Sequence, residues 1–123
     1  GKYRLVATDG TNWYDIFSLA GLGETWKEID NGDSTYTASD GDNLFCDCSS
    51  GVITITLPSS PTIGMQVKII DGDGNAGTNN ITVDGGSEKI QGDAADMTIS
   101  TNSAAVSLVY YDSTNGWRLK YND

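Results

Sequence analysis

The chain has 123 residues, with 17 acidic against 7 basic side chains and no histidine, for a net charge of −10. That balance argues against electrostatic binding to nucleic acid or to an anionic membrane, both of which need Lys and Arg, and the lack of His removes Ser-His-Asp and Cys-His catalysis within this piece. Fifteen glycines, abundant Thr, Ser, Asn and Asp, and no long run of helix formers at a 3.6 period mark an all-β chain.

The first predicted element is a β-hairpin from about Tyr3 to Phe17, carrying the phrase Leu5-Val6-Ala7-Thr8-Asp9-Gly10-Thr11-Asn12-Trp13. The phrase returns at the other end as Leu108-Val109-Tyr110-Tyr111-Asp112-Ser113-Thr114-Asn115-Gly116-Trp117. If the second copy closes a module, the first closes an earlier one, so residues 1–23 are expected to be the last hairpin and joint of a preceding repeat. The small-residue stretch Ser18-Leu19-Ala20-Gly21-Leu22-Gly23 is the expected boundary, and residues 24–123 the complete module, with Asp123 expected at the natural C-terminus.

After the joint, Thr25 to Ile29 and Thr35 to Ala38 read as strands. Asn43 to Cys48 and Val52 to Leu57 read as the two arms of a hairpin around Ser49-Ser50-Gly51. Leu44, Cys46 and Cys48 fall on one strand face, as do Ile53, Ile55 and Leu57, so one side of each strand is expected to be buried. A disulfide across the single residue Asp47 would be strained in an extended strand, and two thiols without His or a third Cys fall short of a zinc site. Free, buried thiols are expected.

Pro58 to Gly64 holds both prolines and forms a corner. Met65 to Ile70 alternates again, and the acidic loop Asp71 to Asn79 leads into Asn80-Ile81-Thr82-Val83. The opening Asp71-Gly72-Asp73-Gly74-Asn75 matches the first three ligand positions of an EF-hand loop, but Ala76 stands at the sixth position and Thr82 at the twelfth. The calcium loop therefore fails. Asp71 and Asp73 stay as weak metal candidates, or an ion on an oligomer axis, beside the plainer reading of a glycine-rich acidic turn. Short strands are expected around Lys89-Ile90-Gln91 and Met97-Thr98-Ile99. Ala105 to Tyr111 is the strongest strand and enters the closing hairpin, where Trp117, Leu119 and Tyr121 face inward while Arg118 and Lys120 face out. Turn clusters every 8–12 residues predict an antiparallel β-sandwich.

The succession Ile53-Thr54-Ile55-Thr56-Leu57-Pro58, Gly64 to Ile70, Asp71 through Asn75-Ala76 to Asn80-Ile81-Thr82-Val83, Ile90-Gln91-Gly92 and the Trp117 hairpin resembles the β-rich module of bacteriophage and prophage tail fibres, tail needles and virion spikes. The likeness covers roughly Asp40 to Lys120. It implies a jelly-roll-like sandwich in a parallel homotrimer, located in the virion after assembly in the host cytoplasm, with other virion proteins and a host surface glycan or protein as partners. The matching residues, Leu57, Pro58, Gly64, Asp71, Gly74, Asn75, Asn80, Ile81, Gly92 and Trp117, are structural in such modules. The added Gly72-Asp73 and Cys46-Asp47-Cys48 depart from the pattern.

The expected function is host attachment, or alternatively a purely structural role in capping, joining or decorating a fibre; a polysaccharide-degrading spike is the least favoured reading. No catalytic residue, cofactor or ligand-binding residue is assigned, since acidic residues in this composition read as solvated turns and not as a glycosidase pair. Leu19, Leu22 and part of the C-terminal aromatic hairpin are expected at the subunit contact.

Overall fold

The computed structural model describes residues 25–30 and 34–120, which form nine strands and no helix. They are β1 (Trp26–Ile29), β2 (Thr35–Thr37), β3 (Asn43–Cys46), β4 (Ile53–Thr56), β5 (Gln66–Asp71), β6 (Ile81–Asp84), β7 (Met97–Ile99), β8 (Ala105–Asp112) and β9 (Gly116–Leu119). The opening hairpin, the 18–23 joint with Leu19 and Leu22, Tyr121 and Asp123 lie outside the described residues.

The strands form two sheets, one ordered β1-β3-β5-β8-β9 and the other β2-β4-β6-β7. Through β6 each strand enters the sheet its predecessor did not, and each pairs in parallel with the strand two before it. The chain thus winds as a flattened coil. Three antiparallel pairings finish it, β7 on β6, β8 on β5 and β9 on β8.

This winding corrects the expected antiparallel, jelly-roll-like connectivity: the all-β class holds, but both sheets are mixed. In particular, β3 and β4 are not a hairpin. The chain turns at Asp47 to Val52 and crosses to the opposite sheet, with Asp47 Oδ1 accepting from Ser49 N at 3.0 Å and Ser49 Oγ at 2.6 Å to shape the corner. Period-2 burial is the same for a hairpin arm and for a strand that arches over to a facing sheet, so alternation alone does not separate them.

One apolar core lies between the sheets, with Leu44, Cys46, Val67, Ile69, Leu108 and Trp117 from one side and Ile53, Ile55, Ile81, Val83 and Ile99 from the other. Parallel register stacks like on like: Leu44 sits beside Ile69, Ile53 beside Ile81, and Ile55 beside Val83. β-branched side chains suit this pleated, buried surface, and each fully buried Ile or Val contributes about 1.5–3 kcal/mol. Cys46 and Cys48 are free and buried, as expected.

The closing hairpin is fastened to the Lys89–Ile90 turn. Trp117 N donates to the Lys89 carbonyl at 2.8 Å, and Gln91 N donates to the Trp117 carbonyl at 2.7 Å. Gly116 has φ +75°, and a Cβ there would overlap the Lys89 carbonyl, so glycine is required on both counts. The expected Lys89-Ile90-Gln91 strand reduces to one bridging residue, Ile90, within a turn closed by the Asp93 N to Ile90 O bond at 3.0 Å. A register shift between Tyr110 and Asp112 leaves Tyr111 exposed. The C-terminal aromatic cluster is therefore Tyr110 with Trp117, without Tyr111.

Candidate functional site

The outward face of the larger sheet follows directly from strand alternation. Leu44 and Cys46 point into the core, so Phe45 points out; Val67 and Ile69 point in, so Lys68 and Ile70 point out. Register then sets these residues side by side. Trp26 pairs with Asn43, Asn43 with Lys68 and Lys68 with Ser107, while Lys120 N donates to the Ser107 carbonyl at 2.7 Å. A second row runs Phe45, Ile70, Ala105.

Trp26 and Phe45 stack with ring centroids 4.7 Å apart and an interplanar angle of 29°. Each is 40% exposed, although both are large and apolar. Beside them lies a half-open cleft of about 310 Å³, lined by Asp40, Gly41, Asn43, Gln66, Lys68 and Lys120 among others. It adjoins a depression of about 220 Å³ that shares Lys68 and Lys120 and is lined as well by Ile70, Ala105, Val106 and Ser107. Lys120 Nζ donates to Gln66 Oε1 at 3.2 Å. The Ser107 hydroxyl is buried without a hydrogen-bond partner among the described residues.

The acidic end of the cleft is rigidly built. Asp42 Oδ2 accepts from Tyr36 OH at 2.8 Å and from Ser39 N at 2.9 Å, and Lys27 Nζ lies 3.5 Å from Asp42 Oδ1. Lys27 also donates to Tyr36 OH at 2.8 Å, and that bond, with the Asp42 charge, holds the ammonium pKa above its ordinary value. These three residues tie β1 of one sheet to β2 of the other. Asp40 Oδ1 accepts from Gln66 N at 2.9 Å.

The sequence-predicted metal candidates part company. Asp71 is buried, and its two oxygens accept from four backbone N–H groups: Gly74 at 3.1 Å, Asn75 at 3.2 Å, Ala76 at 2.9 Å and Ser103 at 2.8 Å. Burial pushes its pKa up, but the four donors outweigh burial and hold the carboxyl below the usual range. Asp71 thus organises the loop that follows it. Asp73 is exposed and hydrogen-bonds to Asp47; that bond and the Asp47 charge raise its pKa, while the Ser49 donors lower that of Asp47. No group of three or more His, Cys, Asp or Glu able to hold a metal occurs among the described residues. The matching residues Leu57, Gly64, Asn80 and Gly92 all occupy turns or strand ends, outside the cleft except for Gly64, which lines it.

Trp26, Phe45, Lys68 and Lys120 are not recognisable as a group in the sequence. Their outward direction is in the alternation, but nothing local says that β3 lies between β1 and β5. No family model matches this chain, and no curated protein matches it.

Proposed function

We propose that this chain is a non-enzymatic module of a viral fibre or spike that attaches to the host surface, using the outer face of its larger sheet. The observation that carries the reading is the coincidence on one face of an exposed aromatic pair, Trp26 and Phe45, and a polar cleft beginning at Asn43. Exposed aromatics beside fixed hydrogen-bonding groups are what sugar or protein ligands require, since the rings supply apolar contact and the polar groups set orientation. The ordered likeness to tail-fibre and spike modules supports the virion setting, with host surface glycan or protein as partner.

In this reading the module is a two-sheet sandwich assembled as a parallel homotrimer and located in the virion. Self-association would cover open strand edges, which are otherwise a liability. Labelled protein should adsorb to cells of some members of a bacterial panel and sediment with three times the chain mass. Monomeric mass and no adsorption to any cell would count against the reading.

One observation favours the purely structural alternative. β1 and β2 are both edge strands and belong to the same turn of the coil, so together they offer one end on which another module could stack. A fibre-joining role predicts assembly with adjoining virion segments and no adsorption to cells.

A further inference from the structure

We infer that the ligand of this face is a short uncharged oligosaccharide, with two adjacent hydroxyls held by Asp40 and Gln66 and a further ring against Phe45; the inference rests on the attachment reading above. Charge balance in the cleft is the first ground. Its charged lining residues are two carboxylates, Asp40 and Asp42, and two lysines, Lys68 and Lys120. All four are engaged: Asp40 accepts from Gln66 N, Asp42 from Tyr36 and Ser39 with Lys27 beside it, Lys120 donates to Gln66, and Lys68 is likewise partnered. An ionic ligand would have to break one of these contacts to gain a counter-charge. A neutral one does not.

The second ground is the hydrogen-bonding capacity that these contacts leave over. Asp40 commits Oδ1 to Gln66 N at 2.9 Å, and Gln66 commits Oε1 to Lys120 Nζ at 3.2 Å. Asp40 Oδ2 and Gln66 Nε2 make no hydrogen bond among the described residues, and both residues line the cleft. One is an acceptor and the other a donor, on residues already tied together. A hydroxyl both donates and accepts, so adjacent sugar hydroxyls can satisfy the two at once, whereas a carboxylate only accepts and an ammonium only donates.

The third ground is size and spacing. Phe45 pairs with Ile70, four positions along β5 from Gln66 and on the same face, so the ring and the polar pair stand about 13 Å apart along the strands. That is more than one sugar ring and within reach of a short chain of them. Trp26 stacked on Phe45 steadies the ring that would carry the far end. The cleft volume of about 310 Å³ falls at the lower end of small-ligand sites, about 300–1,000 Å³. A protein partner needs a broad surface more than it needs such a cleft, which favours the sugar.

The test titrates the parent protein with maltotetraose, cellotetraose, mannotetraose and galactotetraose, followed by amide chemical shifts, with tetragalacturonate as the charged comparison. At least one neutral probe should move the amides of Gly41, Phe45 and Gln66, which gives the location without any variant. Its affinity should not change when ionic strength is raised about tenfold, since no ion pair forms. Asp40→Asn, which keeps the acceptor for Gln66 N, should weaken binding about tenfold through the lost charge-assisted bond, and Phe45→Ala about as much. Both positions are exposed, so both variants should keep the parent's fold. Absence of binding to all four neutral probes, tighter binding of tetragalacturonate, affinity that falls with salt, shifts centred elsewhere, or two variants that bind like the parent would overturn the inference. Adsorption to cells that persists alongside any of these results, and is abolished by treating the cells with protease, would leave the attachment reading standing with a protein partner, which separates the two.

Discussion

Trp117 meets Tyr110 edge to face, ring centroids 5.4 Å apart at 64°, and the indole is wholly buried while Tyr110 OH donates to Glu88 Oε1 at 2.8 Å. This pair closes the larger sheet over the Lys89–Ile90 turn. Trp117→Ala should cost about 3–5 kcal/mol through the cavity it leaves, read as a lowered urea midpoint. A melt equal to the parent's would mean that the hairpin contributes little to the core. The Glu88 bond, with burial and nearby charge behind it, also pushes the Tyr110 phenol up to about 12, so its absorbance should not titrate below pH 11.

Asp71 and Asp73 stand two residues apart and should behave oppositely on substitution. Asp71→Ala strands backbone donors at Gly74, Asn75, Ala76 and Ser103, for an expected loss of roughly 2–4 kcal/mol. Asp73→Ala removes an exposed carboxyl that faces Asp47 and should change stability by less than about 0.5 kcal/mol. Denaturant titrations of the two variants decide it, and equal losses would contradict the buried cap.

The same two residues give the acid limb of stability its sign. Asp71 has a folded pKa below its ordinary 3.8, so its contribution is present above 3.8 and is lost as pH falls through the lower folded value. Asp73 has a raised pKa, so its contribution runs the other way, favouring the folded state below 3.8 and fading as pH rises through the folded value. Asp71→Asn should flatten the fall in stability below pH 4, measured by urea unfolding from pH 6 to 2.5. An unchanged slope would show that other carboxylates dominate.

Cys46 and Cys48 are shielded thiols. Burial first, then the charges of neighbouring acidic groups, pushes them up to about 12 and about 11. Labelling by a small disulfide reagent at pH 8 should therefore proceed only as fast as the β3 corner opens, with both thiols reacting together. Fast reaction of one thiol in the native protein would place the Cys48 corner outside the cooperative core.

Strand positions and their inward faces were legible in the sequence because period 2 survives any topology. Ile53, Ile55, Leu57, Val67 and Ile69 are all buried as their alternation requires. Sheet membership was not legible. The β3–β4 corner and a two-strand hairpin loop call for the same Asp, Ser and Gly residues, and parallel pairing depends on partners 17 to 28 positions away, as Trp26 with Asn43 and Ile53 with Ile81. The outer-face site was hidden for the same reason, since Trp26, Phe45, Lys68 and Lys120 become neighbours only once β1, β3, β5, β8 and β9 are ordered. Asp71 was visible as a turn residue, but its four backbone donors were not, because a D-x-D-x-N string suits a metal loop and a self-capped turn equally well.

Attachment through the outer face of the larger sheet is tested by adsorption of labelled protein to a binding strain from the bacterial panel. Phe45→Ala and Thr98→Ala are compared, the latter exposed on β7 of the other sheet. Both variants should keep their melting temperatures within a few degrees of the parent, because both positions are exposed. Phe45→Ala should lower adsorption about tenfold or more, the effect of losing a central aromatic contact, and Thr98→Ala should leave it unchanged. Full adsorption by Phe45→Ala, or its loss in Thr98→Ala, would contradict the assignment of function to this face.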